Sequence, residues 1–204
     1  MFRQFPFVNV FVKKFPFKTN NDKIYPIERL KEIEACKCSE VREEKFYSWK
    51  LLEVGIFQSL GLDIKDVKFS HKNSKWTCDK LCFSISHSQN LVAVAVARND
   101  IGIDIEEINL KRFSKFPAEK ILTQEEIEQK NSTPLELNYL WTVKEALFKK
   151  GSNEIFIPNK IKTLDEQFII KTIKIDDKEY ALSIATNDNS FIKFYLDEDI
   201  IFIS

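Results

Sequence analysis

In Ile101-Gly102-Ile103-Asp104-Ile105-Glu106, the alternation of a strand puts Gly102, Asp104 and Glu106 on one face and three isoleucines on the other. Twice the rise per residue sets the two carboxylates roughly 7 Å apart. Further along, Trp141-Thr142-Val143-Lys144-Glu145-Ala146-Leu147-Phe148-Lys149 reads as a helix. At about 100° per residue, Leu137, Leu140, Trp141, Lys144, Leu147 and Phe148 share one broad face with Lys144 near its centre, while Glu145 and Lys149 sit on its edge at i, i+4 spacing. The first stretch offers acid for a metal, and the second offers acid and base for a phosphate.

Each stretch also has an ordinary reading. Asp-x-Glu suits the solvated face of a half-buried strand, and Lys144 can snorkel past Trp141 while Glu145 and Lys149 form a surface pair. Against this, Gly102 weakens a strand interior and marks a close approach by a ligand or another backbone. The preceding run, Leu91 to Ala97, is apolar on both faces and puts the sheet deep, where two unpaired like charges are costly. A divalent cation removes that cost. Magnesium takes hard oxygen ligands, often one or two carboxylates together with substrate phosphates. With no imidazole or thiolate beside the strand, zinc fits poorly.

The elements that must position these residues follow from periodicity and punctuation. Strands are predicted at Phe7 to Val12, Val67 to Ser70, Leu81 to Ile85 and Leu91 to Ala97, and helices over Ile27 to Cys36 and Val41 to Leu60, the latter stopped by Gly61. After the acidic strand, Phe113 to Phe116 opens a short helix, Thr123 caps another, and Ser132-Thr133-Pro134 caps the long helix that stops at Gly151. Phe168 to Ile175, Tyr180 to Ala185 and Phe191 to Tyr195 read as antiparallel strands. The order implies an α+β fold with a seam near residues 97 to 101, dividing residues 1–98 from 99–204.

The chain has 204 residues, 44% of them hydrophobic, with eighteen Phe and four Gly, which excludes a disordered chain. Thirty-one Lys and Arg balance thirty-one Asp and Glu, so no overall field draws it to nucleic acid or to a membrane surface. Neither a signal peptide nor an apolar run of ~20 residues is evident, so the cytoplasm is expected. Cys36-x-Cys38 and Cys78-x-x-x-Cys82 lack the favoured zinc spacing and are expected to be reduced thiols.

The two chemical stretches, preceded by Phe83-Ser84-Ile85-Ser86-His87-Ser88, resemble the signature motifs of the 4'-phosphopantetheinyl transferases. The length is similar to that of the surfactin-type branch. The resemblance implies two similar α/β halves forming a pseudo-dimer, each with a small antiparallel sheet packed on helices, and an active site between them in a monomeric chain. It implies that coenzyme A is the co-substrate, that its phosphopantetheine arm passes to a serine of an apo acyl or peptidyl carrier protein, and that adenosine 3',5'-bisphosphate is released.

By the same resemblance Asp104, Glu106 and Glu145 would hold Mg2+ on the pyrophosphate. Lys149 would neutralise the leaving phosphate, with Lys144 supporting the same charge. Glu145 or a metal-bound water would be the base, and Glu125, or Glu126 next to it, resembles the acidic residue beside the reacting centre. His87 looks like the contact to the 3'-phosphate of coenzyme A, Ser86 beside it is placed among the residues that bind coenzyme A, and Arg42, Lys45 and Lys50 resemble the basic residues at its nucleotide end. Where the family usually has Gly-Lys-Pro, this chain has Ser74-Lys75-Trp76; Lys75 remains able to reach a phosphate. A non-catalytic module of the same fold that binds carrier proteins or nucleotides is the alternative, and a different magnesium-dependent phosphohydrolase is a third.

Overall fold

A computed structural model of the chain describes residues 7–73, 75–129, 132–151, 155–187, 191–198 and 200–203. In chain order the elements are β1 (Phe7–Lys14), α1 (Ile27–Glu34), α2 (Ser39–Leu60), β2 (Phe69–Lys72), β3 (Lys75–Cys78), β4 (Cys82–Ser88), β5 (Leu91–Ala97), β6 (Ile101–Glu107), α3 (Leu110–Phe113), α4 (Gln124–Gln129), α5 (Pro134–Lys150), β7 (Phe168–Ile175), β8 (Lys178–Thr186), β9 (Phe191–Leu196) and β10 (Ile200–Ile203). They form two units, Met1–Asn99 with Asp188–Asp197, and Asp100–Asn187 with Glu198–Ser204. The fold is α+β, small sheets with helices.

Both units follow one path. A first strand, β1 or β6, leads to a long helix, α2 or α5, and then to a hairpin, β4–β5 or β7–β8, whose second strand pairs antiparallel with the first. The sheet orders are β4-β5-β1-β9 and β10-β7-β8-β6. Each sheet gains one further strand, and here two expectations change. Phe191–Leu196 is not antiparallel but pairs parallel with β1, because it returns to the first unit's sheet. A single cut of the chain therefore does not divide the units. Nothing in a short apolar run specifies its partner, so its direction is not legible locally.

The cores are those the apolar pattern demands. In the first unit every residue of β5 is buried, and Trp49, Leu52 and Ile56 of α2 join its cluster. Gly61 ends α2 in the left-handed conformation at φ 69°, which glycine adopts without a Cβ clash. In the second unit Val143, Ala146 and Leu147 of α5 pack with Ala185 of β8. Thr133 caps α5 in a reciprocal box with Glu136, and Pro134 occupies its first turn. Among the described residues no helix is long and apolar enough to cross a membrane.

Candidate active site

The site begins at Gly102. A Cβ there would lie 1.8 Å from the Ala146 carbonyl oxygen and 2.7 Å from the Lys150 amide nitrogen. The close approach foreseen at this glycine is thus by a backbone, that of α5, rather than by a ligand. Two residues along the same face of β6, Asp104 is 3% exposed and accepts a hydrogen bond from Lys149 Nζ at 2.7 Å. Lys149 also lies 3.8 Å from Glu145 one helical turn earlier. Contact between β6 and α5 places the acidic strand and the Lys-Glu helix together.

Acid outnumbers base there. Burial and the neighbouring Asp104 carboxylate push Glu145 up to about 7, with Glu106 adding to the rise and Lys149 and Arg112 opposing it. Glu106 is raised as well, by burial first and then by Asp104, against Arg112, Lys149 and Trp141. Crowded carboxylates disfavour each other's charged forms, and a nearby cation relieves them.

That excess is the test of fit for magnesium. The donors are carboxylate oxygens, the kind it takes, and Asp104, Glu106 and Glu145 are the residues that would hold it. Among the described residues, however, no three side chains of ligating type already stand as a metal-holding group. The ammonium of Lys149 holds Asp104 instead. Fit therefore rests on donor type and on the surplus of negative charge.

Lys144 has other work. It is completely buried, and its Nζ donates to Glu126 Oε2 at 2.6 Å, the Ile161 carbonyl at 2.7 Å and the Pro158 carbonyl at 3.1 Å. Glu126, also buried, accepts from the Thr123 amide and from the amide and hydroxyl of Thr163. Burial alone would raise the Glu126 carboxyl, but the hydrogen bonds from Lys144, Thr163 and Thr123 hold it below its ordinary value. This pair ties α4, α5 and the segment before β7 into one core. In the structure the donors of Lys144 are thus taken up by protein acceptors, and Glu125 stands outside this core. That residue is exposed and accepts from Lys162 at 2.9 Å. Residue 126, not 125, faces inward because Thr123 begins the helical turn and sets its phase.

The candidates of the first unit stand as follows. Ser86 and His87 lie within β4, whose alternation buries Ser84, Ser86 and Ser88 and exposes His87. His87 Nδ1 pairs with Glu44 of α2. Lys50 is 3% exposed and engages Glu53, with further donation to the Lys23 carbonyl at 3.3 Å and Asn21 at 3.5 Å. Arg42 donates to the Cys36 carbonyl at 2.7 Å. Lys45 donates to Glu32, which also accepts from Arg29 and Trp76. Against the upward push of burial, those three donors bring the Glu32 carboxyl down to about 2. Lys75 is exposed on β3, a strand not foreseen from sequence.

Two residues near the acidic cluster escaped the sequence reading of the site. Arg112 opposes the rise of both Glu106 and Glu145, and its guanidinium lies over the Trp141 ring. The available signal was a basic residue beside Phe113 shortly after the acidic strand, a pattern too common to single out.

Comparison with known proteins supplies an independent observation. Residues 100–195 match the profile of the 4'-phosphopantetheinyl transferase superfamily. Over 79 residues the chain is 34% identical to the 4'-phosphopantetheinyl transferase gsp of Aneurinibacillus migulanus, covering 37% of this chain and 33% of that protein. The chain thus spans about a third of the length of the curated relative it matches. The matched profile contains β6, α3, α4 and α5, the elements that build the acidic site.

Proposed function

Because residues 100–195 match the profile of the 4'-phosphopantetheinyl transferase superfamily, we propose that the protein is a surfactin-type transferase moving the phosphopantetheine arm of coenzyme A to a carrier serine. The observation that carries this reading is the convergence of Asp104, Glu106, Glu145 and Lys149 where β6 meets α5. The serine oxygen attacks the phosphorus that bears the pantetheine arm. The bridging oxygen to the second phosphate then leaves with its electron pair as part of adenosine 3',5'-bisphosphate.

Each residue has a task in that step. Glu145, held beside Lys149 on the half-buried edge of α5, takes the serine proton. Lys149, anchored on Asp104, carries an ammonium to the negative charge that grows on the leaving phosphate. Magnesium, when bound by Asp104, Glu106 and Glu145, would neutralise the diphosphate. The Glu126–Lys144 core fixes the helix from which Glu145 and Lys149 project, and such positioning supplies much of the acceleration in phosphoryl transfer.

The test is to mix the protein with coenzyme A, magnesium and a panel of apo acyl and peptidyl carriers, and to weigh the carriers. Addition of one phosphopantetheine arm is expected on at least one of them. Coenzyme A binding without transfer to any carrier would favour the non-catalytic module.

A further inference from the structure

Arg112 lies in α3, where its backbone N–H donates to the capping Asn109 Oδ1 at 2.9 Å. Its guanidinium carbon sits 5.3 Å from the ring centre of Trp141 and 5.1 Å from that of Phe113. Trp141 is one turn of α5 before Glu145, and it is held edge-on by Phe116 and Phe156 at 6.0 and 5.4 Å. A guanidinium stacked on aromatic faces keeps its donors in the plane, arranged as a fork that matches a phosphate. This is a long, exposed side chain lying over two rings, one of them braced by further aromatic contacts.

Its surroundings explain why a cation is placed there. Three carboxylates against the single ammonium of Lys149 leave the cluster anionic, and a bound dication alone brings it only to formal neutrality. A diphosphate needs a positive seat. Trp141, over which the guanidinium lies, is one turn before Glu145 on α5, so Arg112 stands beside this cluster rather than on a remote surface.

We infer that Arg112 is a second phosphate-binding cation of the site, stacked on Trp141 and Phe113 and aimed, with Lys149, at the diphosphate of the nucleotide substrate. The inference rests on the proposed function and assigns one residue within it. The side chain touches substrate but exchanges no proton, so it governs affinity rather than the chemical step.

The experiment measures coenzyme A binding calorimetrically, with magnesium present, for the wild type, Arg112→Gln and Arg112→Lys, beside melting curves and the KM for each substrate. Arg112→Gln is expected to weaken coenzyme A binding about 10- to 100-fold, the worth of a charge-assisted hydrogen bond. Arg112→Lys, which keeps the charge and loses the fork, should fall between. The melting temperature and the KM for the carrier should stay put, and 3'-dephospho-coenzyme A should show the same ratio because it keeps the diphosphate.

Unchanged coenzyme A affinity in Arg112→Gln overturns the inference, whether the variant melts lower, which makes the residue structural, or shows a raised carrier KM, which makes it a docking contact. A ratio that vanishes with the dephosphorylated analogue also overturns it, by moving Arg112 to the 3'-phosphate. A wild type that binds coenzyme A but modifies no carrier defeats the proposed activity and leaves the Arg112 ratio to be read independently.

Discussion

Lys144 and Glu145 are neighbours on one helix and sit in opposite electrostatic conditions. Lys144 is surrounded by acceptors that use its donors, and its partner Glu126 is held below the ordinary carboxylate value. Glu145 looks into a cluster where acid exceeds base and is pushed up to about 7. A satisfied pair rigidifies a core and has little to offer a ligand, whereas a surplus of one sign attracts one. Burial of charge marks both places, and imbalance separates them.

The contrast breaks hardest on the satisfied side. Lys144→Met or Glu126→Ala leaves an uncompensated charge in a dry core, and each should cost about 3–5 kcal/mol in thermal or urea unfolding. The combined variant Glu126→Leu with Lys144→Met should recover most of that loss, since well-packed apolar residues often replace a buried pair at little cost. Equal and additive losses would mean that the two residues are not one unit.

On the acid-rich side the effect should fall on chemistry and spare the fold. Asp104→Asn and Glu145→Gln are expected to lower transfer by roughly 10²–10³-fold, on the scale of removing one preorganised group from a transition state. Melting should stay within a degree or two of wild type or rise, because mutual repulsion is removed. A variant that loses activity only in proportion to lost folded protein would turn the cluster into another structural element.

Smaller effects appear with pH. Glu126 has a folded value below its unfolded one, so it stabilises above about pH 4.3 and that contribution is lost as the pH falls further. Urea midpoints should therefore drop more steeply below pH 4.3 in wild type than in Glu126→Gln. Parallel curves would show that the hydrogen bonds from Lys144, Thr163 and Thr123 do not depress it. The least effect belongs to Glu125→Gln, where only an exposed pair with Lys162 is lost, and melting should not change measurably.

Much of this was legible in the sequence, and the failures share a cause. Alternation in Ile101–Glu107 and the period of Pro134–Lys150 located β6 and α5, and i, i+4 spacing paired Glu145 with Lys149. Lys144 is ambiguous in the sequence because a lysine in an apolar stripe looks the same whether it faces a phosphate or a carboxylate eighteen positions earlier. Arg112 was missed because its meaning depends on Trp141, on another helix. The direction of β9 depends on β1 at the far end of the chain. Local patterns report periodicity and caps, while partners distant in sequence have to be seen.

The most direct measurement compares wild type, Glu145→Gln and the Glu126→Leu, Lys144→Met double variant as catalysts of arm transfer from coenzyme A to an apo carrier, read by intact mass with magnesium present. Wild type is expected to modify the carrier, the double variant to retain transfer in proportion to its folded fraction, and folded Glu145→Gln to leave the carrier bare. Full transfer by Glu145→Gln, or its absence in a folded double variant alone, would contradict the assignment of chemistry to the acid-rich side of α5.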